Sequence, residues 1–217
     1  MLLVKSITFD DEEIGRTLVP TPVVAAHGTD DAVFIDKLKA GDEAAFETLI
    51  DRYSCDIYAL LYRLTENPEE ASDLTQDTFI RVLRSIKTFR GESGLKTWLF
   101  SIAINESRNR FRWWKRRKRD LTISLDATFG ESETRISDTM AASSISPEEA
   151  ALAHEREYAL NTALLDIQAV YREAIILCDI EGLSYEETAV ALGVGIGTVK
   201  SRISRGREEL RRRLKDF

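Results

Sequence analysis

Apolar residues recur along this chain at three- and four-residue spacings, and no stretch alternates apolar and polar positions over the length of a strand. The pattern predicts an all-α protein. Asp30 and Asp31 open a short helix that Gly41 closes, and Asp42 starts a longer one carrying Phe46, Leu49, Ile50, Tyr53, Ile57, Leu60, Leu61 and Leu64 at helical spacing. Asn67, Pro68, Glu69 and Glu70 follow in the order of a cap, a first-turn proline and first-turn acids. A third helix should therefore run to about Ile86, with Phe79, Val82, Leu83 and Ile86 as its buried stripe. After the loop FRGESG at residues 89–94, a fourth helix is predicted from Leu95 to Arg119, with Trp98, Leu99 and Ile102 turned inward.

From Asp120 to Pro147 the periodicity disappears. Asp126, Glu131, Glu133, Asp138 and Glu148 face only Arg135 there, the composition of a disordered linker. Ser146 and Pro147 then cap the first helix of a second unit, and another helix passes through Ala174, Ile175, Ile176 and Leu177 to end at Gly182. Ser184 and Glu187 have the spacing of a capping box for a short helix to Leu192. Gly193 supplies a left-handed turn, and Ile196 to Leu214 forms the last helix. The expected architecture is two small helical domains joined by a flexible acidic linker. Residues 1–29 read as a flexible extension, 30–119 as the first domain, 120–146 as the linker and 147–217 as the second domain.

Charge changes this picture in one respect. Lys and Arg number 30 against 37 Asp and Glu, so the chain is no nonspecific DNA coat, and its basic residues must be confined to particular faces. Cys55 and Cys178 lack the paired spacing of a metal site and read as reduced, buried thiols of the cytosol. No metal or cofactor is expected. The acidic start and the absence of a spanning apolar run predict a cytoplasmic protein with no membrane insertion.

Two basic segments carry the candidate chemistry. In the last helix Val199, Ile203, Gly206 and Leu210 fall on one stripe. Thr198, Ser201 and Arg205 point the other way, flanked by Arg202 and Ser204, as a helix-turn-helix needs to read base edges in a major groove. In the fourth helix Arg108, Arg110, Arg112, Lys115, Arg116, Arg117, Lys118 and Arg119 run without an intervening acid, interleaved with Phe111, Trp113 and Trp114. Cations attract phosphate and aromatics stack on unpaired bases. Trp98 lies on the apolar stripe, which favours a core role. Asn105 shares its side with Trp98 and Ile102, where its amide either bonds backbone at the core edge or faces a base. On the third helix Asp73, Asp77 and Arg84 share a side with Ile80, either a solvated face or a protein contact. A stand-alone helix-turn-helix regulator would not need the first domain, and His27 and His154, without clustered carboxylates, are poor material for an enzyme.

The segments DLTQDTFIRV, FRGESGLKTWLFSIAINESRNRFR and GLSYEETAVALGVGIGTVKSRISRGREEL together resemble the extracytoplasmic-function sigma factors of bacterial RNA polymerase. The resemblance covers about residues 30–119, as sigma region 2, and 147–215, as region 4. It implies a non-enzymatic subunit that directs core polymerase to promoters and assists melting. It implies that Asp73, Leu74, Thr75, Gln76, Asp77, Phe79 and Ile80 bind the clamp of the largest polymerase subunit. Phe89, Arg90, Trp98, Asn105, Arg108 and Arg112 would serve the minus-ten element, with one base flipped out of the stack. Thr198, Lys200, Ser201, Arg202, Ser204 and Arg205 would read the minus-thirty-five element as duplex. The implied partners are core polymerase, including the flap of its second-largest subunit, promoter DNA and a candidate anti-sigma factor. The chain departs from the family at Gly195, often a serine cap, at Gly206, commonly alanine, at Gln168, usually proline, and at Ser204, often aromatic or His. A mid-helix glycine costs about 1 kcal/mol, which predicts a soft last helix.

Overall fold

The computed structural model describes residues 29–120 and 159–214. The extension expected at 1–28, most of the expected linker and the Ser146–Pro147 cap lie outside the described residues. Among the described residues every regular element is helical. Helices α1 (Thr29–Ala40), α2 (Glu43–Thr65), α3 (Pro68–Ser85) and α4 (Leu95–Asp120) form the first unit, with a 3-10 turn at Ile86–Thr88 between α3 and α4. The second comprises α5 (helical over 159–166), α6 (Ala169–Ile175), a π-helical turn at Ile176–Ile180, α7 (Tyr185–Leu192) and α8 (Ile196–Arg213).

The boundaries follow from local chemistry. Gly41 leaves α1 at φ +84°, and the Asp42 side chain accepts from the Ala45 N–H to start α2. Asn67 caps α3 by accepting from the Glu70 N–H at 3.0 Å, with Pro68 in the first turn. Ser184 and Glu187 form the reciprocal capping box of α7. Gly193, at φ +67°, makes the left-handed turn into α8. Gly195 starts α8 without a side-chain cap, so the first N–H groups of that helix remain open to an anion.

Three inward assignments are corrected. Leu83 is 56% exposed, and the buried line of α3 is instead Ala71, Leu74, Thr78 and Val82. Thr78 can occupy a core position because its hydroxyl donates to the Leu74 carbonyl at 2.7 Å. Ile50 is also exposed, as is Cys55, while Cys178 is half-buried and both thiols are free. On α8 the predicted stripe of Val199, Ile203, Gly206 and Leu210 is buried throughout.

Gly206 is not a weakness in that stripe. A Cβ there would come within 2.5 Å of Ile175 Cδ1 and 3.1 Å of Tyr171 Cβ. The missing side chain lets α8 lie close against α6, which offsets the helix-propensity penalty behind the expectation of softness.

The two cores expected from sequence merge into one cluster of buried residues. Helix α7 lies along α4, and α6 touches α2. Thr97, Phe100, Ile104 and Arg108 recur at helical spacing on the α4 side toward α7, and the first three are buried.

Candidate nucleic-acid interface

Helix α4 has a second working side. Trp98, Ser101, Ile102, Asn105, Glu106, Asn109 and Arg112 form one wall of an open groove of about 490 Å³, faced by Arg81, Ser85 and Thr88 from α3 and the turn after it. Phe89 is buried beneath this groove, its ring centroid 5.1 Å from that of Trp98 at a 51° tilt. Lys39 sits 5.9 Å over the other ring of that pair, Phe89. Trp98 is therefore half core and half wall: Phe89 props it from below, and part of the indole remains at the groove. Asn105 is exposed and its amide forms no hydrogen bond among the described residues. Both its donor and its acceptor are left for a ligand, which removes the alternative of an asparagine bonded to backbone.

Asn109 and Arg112 continue into a second, open depression of about 630 Å³ with Arg110, Trp113 and Arg116. Beyond it Phe111, Trp113 and Trp114 are exposed, the two indoles edge to face at 5.1 Å, with the Arg117 guanidinium 4.8 Å over the Trp113 ring. Cations and open aromatic faces share this end of α4, the combination that holds a single strand by backbone charge and base stacking.

Two of the sequence-predicted groove residues lie elsewhere. Arg90 stands in the exposed loop, 3.8 Å from Glu92. Arg108 turns to the opposite side of α4 and makes a bidentate pair with Glu173 of α6. That hydrogen bond holds the Arg108 proton more tightly than usual, against the opposing effect of burial. Conversely, Arg81, Ser85 and Thr88 belong to the groove and the sequence reading did not single them out. Only their position just before the FRGESG loop hints at it.

On α3, Asp73, Gln76, Asp77, Ile80 and Arg84 are exposed together, and Leu83 joins Ile80 to give an apolar centre within a polar rim. Leu74 is 1% exposed and Phe79 half-buried, so they back this face from the core. Thr75 bonds the Ala71 carbonyl. Asp77 pairs with Arg110 at 3.0 Å, linking the α3 face to the basic end of α4.

The rear helix divides its charge. Arg207 pairs with Asp179, Arg211 and Arg212 with Glu208, and Arg213 with Glu209. Lys200, Ser204 and Arg205 are exposed and have no partner among the described residues. Thr198 and Ser201 are exposed beside them, the Ser201 hydroxyl resting on the Thr198 carbonyl. Arg202 is half-buried with Nη1 unpaired. Uncompensated positive potential is thus concentrated in the first half of α8, the part that enters a groove in helix-turn-helix proteins. Among the described residues no cluster of His, Cys, Asp or Glu could hold a metal ion, and no helix is long and apolar enough to cross a membrane.

Comparison with known proteins assigns these surfaces. Residues 49–119 match sigma-70 region 2 and residues 159–210 match sigma-70 region 4. The chain is 35% identical to RNA polymerase sigma-H factor of Pseudomonas aeruginosa over 181 residues, covering 83% of this chain and 91% of that protein. It is 36% identical to the ECF RNA polymerase sigma factor SigW of Bacillus subtilis over 183 residues, 84% of this chain and 96% of the relative. Its fold matches the sigma factor RpoE of Bartonella quintana, solved in complex with the anti-sigma factor NepR. That likeness has a TM-score of 0.60 and 29% identity, and covers 78% of this chain and 96% of that one. With a two-helix reading head at one end, an open groove at the other and family matches over both, the chain belongs to the extracytoplasmic-function group of the sigma-70 family, the promoter-specificity factors of transcription initiation.

Proposed function

We propose that the surfaces described above divide the labour of initiation. The exposed α3 face, centred on Ile80 and Leu83 and rimmed by Asp73, Gln76 and Asp77, docks on the clamp of the largest polymerase subunit. The groove of Trp98 and Asn105 captures one unpaired base of the minus-ten element, and Arg112 with the basic end of α4 holds the adjoining strand. Thr198, Lys200, Ser201, Arg202, Ser204 and Arg205 read the minus-thirty-five element as duplex. In this reading residues 30–119 act as the melting domain and residues 147–217 as the duplex reader, which also meets the flap of the second-largest subunit. The protein supplies positioning and a trap for an extruded base, while the polymerase does the bond-making in the cytoplasm. An anti-sigma factor is a fitting partner, since the RpoE relative was solved with one.

The observation that carries this reading is the free amide of Asn105 in a groove walled by a propped indole. Extruding a base costs a few kcal/mol, and a pocket offering an unpaired donor, an unpaired acceptor and an aromatic edge can offset it. The test compares Asn105→Ala and Arg205→Ala in reconstituted initiation. Asn105→Ala should reduce permanganate reactivity of the bubble while leaving retention on core polymerase unchanged. Arg205→Ala should weaken initiation by roughly tenfold, as expected for one bidentate base contact of about 1–3 kcal/mol, and only at promoters with an intact minus-thirty-five element. Wild-type footprints in the first variant would remove the base trap, and a promoter-independent loss in the second would remove duplex reading.

A further inference from the structure

We propose that the free protein closes on itself through a built latch between its halves, Arg108 to Glu173 and Arg63 to Glu181, and that this closed form competes with promoter binding. The competition rests on the reading above; the latch does not.

The contact is reciprocal. From the first unit, Arg108 directs Nε and Nη2 to the two carboxylate oxygens of Glu173 at 2.9 and 2.5 Å, and Nη1 to the carbonyl of Leu192, the last residue of α7, at 3.4 Å. From the second unit, Arg172 donates through Nη1 to the carbonyl of Leu64 in the last turn of α2 at 3.0 Å. Each half thus caps a helix C-terminus of the other with a guanidinium, where the helix dipole favours a cation. Arg63, one residue before that carbonyl, pairs with Glu181 at 3.0 Å, the two side chains 21% and 10% exposed.

Glu173 and Glu181 are eight residues apart. In an unbroken α-helix that spacing leaves them about 80° out of line. The π turn at Ile176–Ile180 between them turns through fewer degrees per residue and removes most of the offset, so both carboxylates face the first unit. A widened turn placed between the two latch acids is a feature the rear unit does not need for reading DNA.

Geometry sets the consequence. The minus-ten and minus-thirty-five elements lie roughly 25 base pairs apart, or roughly 80 Å along duplex at 3.4 Å per pair. The packed halves, about 150 residues, form a body of about 15 Å radius of gyration and thus about 40 Å across. One such body cannot engage both elements, so the α4–α7 contact must part before they are spanned. Parting also frees Arg108, which the family resemblance assigns to the strand near the groove. The latch suits a reversible contact, because part-buried ion pairs recover hydration when separated and gain little net free energy when joined. Residues 121–158 link the halves covalently, so closure is intramolecular and a modest contact suffices.

The test is energy transfer within the full chain, with dyes on the exposed native Cys55 and on Thr162→Cys in a Cys178→Ser background. The free protein should show a dominant high-transfer population. Glu173→Arg should lower the closed-to-open ratio at least about tenfold, and adding Arg108→Glu should restore it. Arg63→Glu with Glu181→Arg should repeat that loss and rescue at the second pair. Binding to core polymerase and promoter DNA should abolish high transfer. Low transfer in the free wild type, insensitivity to the single reversals, or swaps no better than singles at both pairs would overturn the latch. High transfer persisting in an initiating complex would overturn the competition. The first arms use neither polymerase nor DNA. Closure and rescue without promoter-directed initiation would therefore leave the latch standing and sink the functional reading, and the reverse result would do the opposite.

Discussion

Replacing Gly206 by alanine should destabilise the rear unit, although alanine is the better helix former. On propensity alone the change stabilises an interior helix position by about 1 kcal/mol. Packing opposes it. The new methyl would lie 2.5 Å from Ile175 Cδ1, 3.2 Å from Ile175 Cγ1 and 3.1 Å from Tyr171 Cβ. The terminal Cδ1 can swing away, but Cγ1 and Cβ are tied to the α6 backbone, so α6 and α8 must separate. Overpacking of this kind costs about 1–3 kcal/mol, leaving a net loss of about 1 kcal/mol. Labelling of the half-buried Cys178, in the turn next to Ile175, reads the opening of this region directly. A loss of about 1 kcal/mol should speed it about fivefold where opening limits exposure. Ile175→Val removes the closest atom, so the double variant should be more stable than the two single effects predict when summed, by about 1 kcal/mol. Gly197→Ala, with no atom within 4 Å of the added carbon, is the control and should leave Cys178 protected. Slower labelling in Gly206→Ala, or additive effects with Ile175→Val, would refute the close-approach account.

Asp77→Arg reverses a charge on the α3 face and sets a guanidinium against Arg110, its present partner. It should cut retention on immobilised core polymerase at least about tenfold, as should Leu83→Asp at the apolar centre, and unchanged retention in both would remove that docking face. The Cys178 thiol is pushed up to about 11, first by burial and then by Asp179, with Arg207 opposing. At pH 8 a thiol reagent should therefore modify exposed Cys55 about a hundredfold faster than Cys178. Because the folded value lies above the ordinary one near 9, the stability linked to this thiol is full below pH 9 and declines as pH rises through 11. Equal rates for the two thiols in the folded chain would contradict the placement.

The helical architecture was legible because local signals agree at most boundaries. Asn67–Pro68, the Ser184–Glu187 box, and the glycines at 41 and 193 act through their own backbone and need no tertiary context. The errors arose where polarity misreports burial. Thr78 hides its hydroxyl on the Leu74 carbonyl and takes a core place that an apolar count gives to Phe79 and Leu83. Gly206 looked like a defect because propensity was visible and the Ile175 side chain opposite it was not.

The site was legible in its parts and not in its combination. Lys200, Ser204 and Arg205 were readable as outward positions, since a helix with one complete apolar stripe fixes what faces away from it. Which cations remain free was not readable. Arg207, Arg211, Arg212 and Arg213 look like more of the same basic run until their acidic partners are placed. Arg108 makes the point most sharply. In sequence it sits in a run that reads as a phosphate grip. In the fold its partner Glu173 lies 65 residues onward, and Arg63 and Glu181 are 118 residues apart. Charged residues at such separations carry no periodic signature linking them, and each alone is indistinguishable from a solvated surface position. A contact made of paired charges, carbonyl caps and one widened turn is therefore nearly silent in sequence. The same composition makes it separable without exposing a large apolar core, since charges and carbonyls recover water on parting as an apolar interface could not.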